Sequence, residues 1–155
     1  MKRFVILLLA LLLICSLTGC GSKEYRLLQD TDEIAKIEAV KVPHGKNDEE
    51  RLSIEREIRN NNFDSVEYLS EIPAEMIDDF LTELKSIPCF RTIPPRWGFW
   101  GESFLITYND GSWQLLNRNS TSYYNKAEDK FYNPNLTFNR ESFDALWNKY
   151  AQLNQ

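Results

Sequence analysis

The chain has 155 residues, which is enough for one domain with a single hydrophobic core. It carries 18 Lys and Arg against 23 Asp and Glu, a formal net charge of −5 at pH 7. This acidic balance, with no basic stripe, argues against a nucleic-acid partner and against binding flat on anionic lipid, because both polyanions would repel the chain.

The first 20 residues have the layout of an export signal. Two basic residues, Lys2 and Arg3, precede an apolar run from Phe4 to Leu17, and small residues then precede Cys20. A transmembrane helix needs roughly 20 apolar residues, whereas this run offers only 14. We therefore interpret the stretch as a cleavable signal peptide rather than a membrane span.

The four residues Leu17-Thr18-Gly19-Cys20 resemble the lipobox of bacterial lipoproteins. The resemblance implies that residues 1–19 are removed and that Cys20 becomes the N-terminus, with a diacylglyceryl group on its sulfur. Such a protein is held on the extracytoplasmic face of the cell membrane by acyl chains such as palmitate. One chain binds a bilayer with a constant near ~10⁴ M⁻¹, so two approach ~10⁸ M⁻¹ if their contributions multiply. The expected membrane partner is thus reached through the lipid on Cys20.

Removal of the signal peptide divides the remaining chain into a polar tether over 20–30 and a single domain over 31–155. It leaves 16 basic residues against the same 23 acidic ones, a net charge of −7. Cys15 leaves with the signal and Cys20 is acylated, so only Cys89 remains and no intramolecular disulfide can form. Since its neighbours Ile87 and Phe90 are apolar, we interpret Cys89 as a small buried hydrophobe.

The first half of the domain favours strands. Residues 34–42 are rich in β-branched side chains and precede Pro43, which favours a strand, and 44–50 are polar and predict a solvated loop. Leu52, Ile54 and Ile58 then alternate with charged residues, the period of a half-buried strand. With a turn at Asn60-Asn61-Asn62, this pattern predicts a hairpin of 52–59 with 64–71.

Apolar residues at helical spacing predict an amphipathic helix over about 74–87. Pro73 precedes its first turn and Pro88 ends it, while acidic residues near its start and Lys85 near its end agree with the helix dipole.

Residues 90–101 combine prolines and glycines with large aromatic side chains, which excludes a long regular element. The candidate partner-binding residues of this loop are Pro94, Pro95, Arg96, Trp97, Phe99 and Trp100. The aromatic side chains either fold inward as a lid on the core or project as a recognition surface, in which Trp and Arg are common anchors. The core interpretation is favoured because 14 aromatic residues lie between Phe90 and Trp147.

The second half predicts a hairpin of 104–108 with 113–116, because Asp110-Gly111 between apolar runs is a strong turn signal. A two-residue loop would pair Tyr108 with Trp113 and Ile106 with Leu115, whereas a three-residue loop through Asn109 would shift this pairing. Residues 122–125 and 131–132 predict one or two further short strands.

The chain closes with a predicted helix over about 140–153. Asn139 is its expected N-cap, and Phe138 and Phe143 occupy the positions of a hydrophobic staple. Together the elements predict an α+β domain, an antiparallel meandering sheet with two helices packed on one face. The Tyr-Asn-Asp-Gly turn after a Phe-Leu-x-x-Leu helix also resembles small lipoproteins of Gram-positive bacteria, a resemblance that implies no catalytic residue.

The sequence lacks the parts of several catalytic and cofactor sites. It has no glycine-rich phosphate loop, no Cys/His zinc spacing and no Gly-x-Ser-x-Gly turn, and His44 is its one histidine. We therefore expect no cofactor and no metal, and we favour a non-catalytic binding or interaction module with a protein or glycan partner. Two alternatives stay open: an enzyme that acts on envelope glycans through a carboxylate pair, and a small-ligand or inhibitor-type domain that uses its sheet face.

Overall fold

The computed structural model describes residues 25–91 and 98–152. The predicted lipobox, Leu17 to Cys20, and the loop residues Pro94, Pro95, Arg96 and Trp97 lie outside these ranges. The described helices are α1 (Asp48–Arg59), α2 (Ile77–Ser86) and α3 (Arg140–Tyr150). The described strands are β1 (Ile34–Val42), β2 (Glu67–Glu71), β3 (Cys89–Arg91), β4 (Gly101–Tyr108), β5 (Trp113–Asn117), β6 (Ser120–Asn125), β7 (Lys130–Tyr132) and β8 (Leu136–Phe138).

Six strands form one antiparallel sheet in the order β2-β1-β4-β5-β6-β7. The short strands β3 and β8 pair separately and were not predicted, because three residues are too few for a periodic pattern. The α+β class and the antiparallel sheet are confirmed, and α2 and α3 form within the two predicted helical ranges. Every helix in the described ranges is too short or too polar to cross a bilayer.

The sheet carries a buried cluster on each face because successive side chains point to opposite sides of a strand. Phe104, Ile106 and Leu116 lie on the side covered by α2 and α3, which we call the two-helix face. Leu105 and Leu115, together with Trp113, lie on the side covered by α1, the one-helix face. The prediction placed helices on one face only, and α1 adds a cover to the other.

The predicted strand over 52–59 is wrong, and the segment is α1. Ile54 and Ile58, four positions apart, are buried on one side of this helix, while Leu52 is 58% exposed. Asn47 caps the helix, since its side-chain oxygen accepts from the backbone N–H of Glu50 at 2.9 Å. Ile54 and Ile58 fit a strand period as well as a helix period, and Leu52 fits only the strand, so alternation indicated the wrong element.

Two further predictions change with this correction. The predicted loop over 44–50 ends at Asn47, and its acidic residues 48–50 form the first turn of α1, where the helix dipole favours them. Strand β2 pairs with β1 rather than with residues 52–59.

The described part of the segment predicted as a polar tether over 20–30 packs against the domain from Tyr25 onward. Tyr25 is 4% exposed and Leu28 packs beside the same cluster. The backbone N–H of Leu28 donates to Gln114 Oε1 at 2.9 Å, and Gln114 Nε2 donates to the Tyr25 hydroxyl at 2.7 Å. A tyrosine and two leucines in a segment interpreted as polar were the signal for this contact.

The β4–β5 hairpin is confirmed, with a three-residue loop over 109–111. Gly111 has φ +86°, and the backbone N–H of Tyr108 donates to the carbonyl of Ser112 at 2.9 Å. Thr107 therefore pairs with Trp113, and Leu105 with Leu115. A glycine with positive φ at the third loop position is typical of this hairpin type.

The N-terminus of α3 is also confirmed. Asn139 Oδ1 accepts from the backbone N–H of Ser142 at 3.1 Å, and the Phe138 and Phe143 rings stack 5.4 Å apart. Cys89 is fully buried, as predicted for a small hydrophobe.

Candidate functional site

A cleft of about 560 Å³ opens at the end of the sheet where β1 leaves and β4 begins. Residues of three separate segments form its walls: Lys41 and His44 from the end of β1, Trp100 before β4, and Arg118 and Asn119 from the turn between β5 and β6. This volume falls within the range of roughly 300–1,000 Å³ that is usual for small-molecule sites. We take this cleft as the candidate functional site.

The backbone at Trp100 is fixed by two buried polar side chains. Asn117 Nδ2 donates to the carbonyl of Trp100 at 2.6 Å, and the Ser120 hydroxyl donates to the carbonyl of Gly98 at 2.6 Å. Asn117 Oδ1 also accepts from the backbone N–H of Asn119 at 2.7 Å. The segment before β4 and the β5–β6 turn are thus joined into one wall.

The indole of Trp100 packs directly over Gly98. A Cβ atom at Gly98 would lie 2.9 Å from Trp100 Cδ1, so glycine is needed for this close approach. The His44 ring lies 5.8 Å from the indole ring, centroid to centroid, with the two rings tilted at 45°. Trp100 is half-buried and contacts both residues.

Arg118 is oriented by a carboxylate outside the cleft lining. Its Nη1 donates to Asp144 Oδ1 at 3.2 Å and Oδ2 at 3.4 Å, while Arg140 Nε lies 3.7 Å from the same carboxylate. Asp144 is therefore shared between two guanidinium groups. In the described contacts, Nη1 donates all side-chain hydrogen bonds of Arg118. The N–H groups of Nε and Nη2 can therefore donate to a ligand.

The structure divides the candidate loop into three parts. Pro94, Pro95, Arg96 and Trp97 lie outside the described residues. Phe99 is 2% exposed, belongs to the cluster on the one-helix face and contacts Phe131, with ring centroids 5.8 Å apart. Trp100, its neighbour, lines the cleft. The core interpretation thus holds for Phe99, while the next aromatic residue borders an open site.

Sequence reasoning did not identify Lys41, Arg118 or Asn119, and it assigned His44 to a solvated loop. These residues are brought together by strand pairing, in which Val42 lies opposite Gly101 and Ser103 opposite Asn117. A local pattern could not have found them, because their positions in the sequence are far apart.

A second hollow, of about 500 Å³, lies where the N-terminal segment crosses the domain. Its lining includes Arg26, Asp30, Asp32 and Lys85, so charges of both signs are present. Within residues 25–91 and 98–152, no group of three or more His, Cys, Asp or Glu side chains is arranged to hold a metal ion.

Beside this hollow, Gln114 links the N-terminal segment to the sheet. Besides its contacts with Leu28 and Tyr25, it accepts a hydrogen bond from the Tyr108 hydroxyl. Burial raises the pKa of Tyr25 well above its ordinary value and raises the pKa of Tyr108 to about 12. Both hydroxyls therefore stay protonated at neutral pH, and the network is built from neutral groups.

The sheet faces are not a candidate surface, because core clusters lie on both. Large exposed apolar side chains among the described residues are scattered: Leu52 on α1, Tyr68 on β2 and Phe90 on β3.

The cleft offers hydrogen-bond donors and an aromatic wall. Ammonium, imidazole and guanidinium groups suit the recognition of an anion, and an indole suits the apolar face of a ring. Its described lining holds no carboxylate. The hydrogen bond described for Asn119 runs from its backbone N–H to Asn117, so it does not involve the Asn119 amide side chain. Comparisons with protein-family models, with curated proteins and with solved structures find no match to this chain.

Proposed function

We propose that the chain is a lipid-anchored, non-catalytic binding module on the extracytoplasmic face of the cell membrane, with the cleft beside Trp100 as its binding site. The observation that carries the proposal is the set of side chains around that cleft: Lys41, His44, Arg118 and Asn119 with the Trp100 indole. These groups recognise and hold a ligand. The partner proposed from the sequence is a protein or a glycan of the envelope.

The anchor is proposed from the resemblance of Leu17-Thr18-Gly19-Cys20 to the lipobox. Tyr25 is already packed into the domain, so only five Cα-to-Cα steps separate it from Cys20. At ~3.3–3.6 Å per residue, these steps span at most roughly 18 Å. A domain anchored in this way would be held close to the bilayer, which favours partners that lie at the membrane surface.

Labelling with radioactive palmitate tests the anchor. The wild-type chain should incorporate label in a bacterial host, and Cys20→Ala should lose it. The matched control is Cys15→Ala, which should keep the label, because Cys15 precedes the cleavage point. Absence of label from the wild type, or equal label in Cys20→Ala, would contradict the proposed anchoring.

Co-sedimentation with isolated cell-wall glycan tests the binding site. Trp100→Ala should weaken binding at least about tenfold, since buried aromatic anchors commonly contribute more than ~1.4 kcal/mol to an interface. The control is Tyr68→Ala, which removes an exposed aromatic side chain from the edge strand β2. Equal binding by both variants would rule out the cleft as the site.

The enzyme alternative has one observation in its favour, because Asp30 and Asp32 both line the second hollow. A glycosidase needs two carboxyl groups about 5–10 Å apart across the sugar. Release of soluble fragments from cell-wall glycan by the wild type, lost in Asp30→Asn and Asp32→Asn and kept in the surface control Asp64→Asn, would favour this alternative over a binding module.

A further inference from the structure

We infer that the cleft binds a short anionic saccharide, with the sugar ring against Trp100 and its carboxylate or phosphate against Lys41 and Arg118. The inference rests on the proposed function and names its ligand class. It is carried by the convergence of cationic groups on a fixed aromatic wall in a chain whose net charge is −5.

Lys41 makes no ion pair with a described residue, and the described lining of the cleft contains no carboxylate. Three acidic residues lie nearby: Asp144, which is shared by Arg118 and Arg140, and Glu67 and Glu102, which lie opposite Lys41 in the β1–β2 and β1–β4 pairings. None of the three lines the cleft, whereas Lys41 and Arg118 do, so an anion in the cleft meets cationic groups at the shortest range.

A cleft of about 560 Å³ fits a ligand of one or two sugar rings. The net charge of the chain would repel a long polyanion, whereas a unit with one or two negative charges can lie wholly beside Lys41 and Arg118. The observations thus favour recognition of a short anionic unit, either free or carried on a larger glycan.

The Trp100 indole packs against Gly98, and the bond from Asn117 to the Trp100 carbonyl holds the backbone that carries this side chain. A side chain placed by such packing loses little entropy when a flat ligand face packs against it. The C–H face of a sugar ring is apolar and its rim is hydroxylated. Asn119 and His44 line the same cleft, and their side chains can form hydrogen bonds with such hydroxyls.

Titration of the full chain in detergent micelles tests the inference, with the Trp100 indole N–H followed by NMR. The probes are glucuronate and glucose 6-phosphate, which distinguish a carboxylate from a phosphate, and the neutral methyl glucoside and inorganic phosphate as references. At least one charged sugar should shift the Trp100 signal and bind at least tenfold more tightly than both references. Raising the salt concentration should weaken this binding.

Two variants locate the charge contribution. Lys41→Gln should weaken binding of the charged sugar about fivefold to tenfold. The substitution breaks no described ion pair, so the variant should fold like the wild type. Arg118→Gln should weaken binding by at least as much, but it also removes the contact with Asp144. The control is Lys126→Gln, which removes an exposed cation beside Gly111 at the opposite end of β4. It should leave binding unchanged.

Three results would overturn the inference: equal affinity for methyl glucoside, an equal loss in Lys126→Gln and Lys41→Gln, or binding that leaves the Trp100 signal in place. Failure of all four probes, with Trp100-dependent co-sedimentation retained, would overturn the ligand class and leave the proposed binding function standing. Loss of that co-sedimentation effect would instead reject the cleft itself.

Discussion

The two faces of the sheet are covered in different ways. On the two-helix face, α2 and α3 bring together a closed aromatic cluster in which Phe104 contacts Phe80, Phe143 and Trp147, with ring centroids 4.8–5.9 Å apart. On the one-helix face, α1 supplies only Ile54 and Ile58 as buried residues. Half-buried aromatic side chains complete its cover: Phe63, Trp100, Tyr124 and Phe131.

This difference shows how one sheet supports both stability and a site. A pair of helices closes its face with side chains at regular spacing. A single helix leaves the rest of its face to loops and turns, and the cleft opens beside one of these, at Trp100. The following predictions test this contrast, beginning with the largest expected effect.

Phe104→Ala should destabilise the protein most, by about 3–5 kcal/mol in the free energy of unfolding. Phe104 is fully buried and contacts residues of both covering helices. Its neighbour Leu105 points to the one-helix face, and Leu105→Ala should cost less, about 2–3 kcal/mol, because the half-buried cover can relax into the space. Urea unfolding monitored by circular dichroism measures both, and a larger loss for Leu105→Ala would reverse the contrast.

Ile54→Ala should cost about 2–3 kcal/mol, while Leu52→Ala should change the free energy of unfolding by less than ~0.5 kcal/mol. In α1, Ile54 is buried and Leu52 is exposed, whereas in the predicted strand both would face inward. The same urea experiment distinguishes the two structures. Equal losses in the two variants would support the strand and contradict α1.

High pH should destabilise the protein through two buried tyrosines of the two-helix face, Tyr25 and Tyr108. Burial raises the pKa of Tyr108 to about 12 and the pKa of Tyr25 well above 10, so the folded state holds protons that the unfolded chain releases near pH 10. This stability is fully present below pH 10 and is lost as the pH rises towards 12, for Tyr108 by the order of 2 kcal/mol.

Unfolding free energies at pH 9 and pH 11.5 measure this loss. The double variant Tyr25→Phe, Tyr108→Phe should lose less stability over that interval than the wild type. The buried polar contact on the one-helix face, Trp113 Nε1 to Asn61 Oδ1 at 2.6 Å, has no group that titrates in this range. An unchanged pH dependence in the double variant would show that these tyrosines do not cause the loss.

The same contrast explains what could be predicted from the sequence. Helix α2 has four apolar residues at helical spacing, and α3 has an N-cap and a hydrophobic staple, so both helices were predicted. In α1 the buried stripe is only Ile54 and Ile58, and Leu52 imitates a strand period. The β4–β5 hairpin was predicted because Asp-Gly between apolar runs is typical of a hairpin turn. The length of its loop depended on the backbone conformation of Gly111, which has a positive φ.

The cleft was not predictable as a whole. The aromatic segment drew attention to Trp100, since tryptophan in a proline- and glycine-rich loop is a common anchor. The cations around it come from the end of β1 and from the β5–β6 turn, and strand order alone brings them to one place. No local sequence pattern encodes that order, so sequence reasoning found one wall of the cleft and missed the others.

The strand order also determines when the domain can fold. Strand β1 lies between β2 and β4, and about 60 residues separate the end of β1 from the start of β4. Two strands alone are marginally stable in water, and a third with an apolar face is needed. The first half of the chain therefore has no stable sheet until β4 joins it, at the entropic cost of closing that long loop. The β4–β5 hairpin closes without a long loop, whereas β1 and β2 can join the six-stranded sheet only once β4 is present.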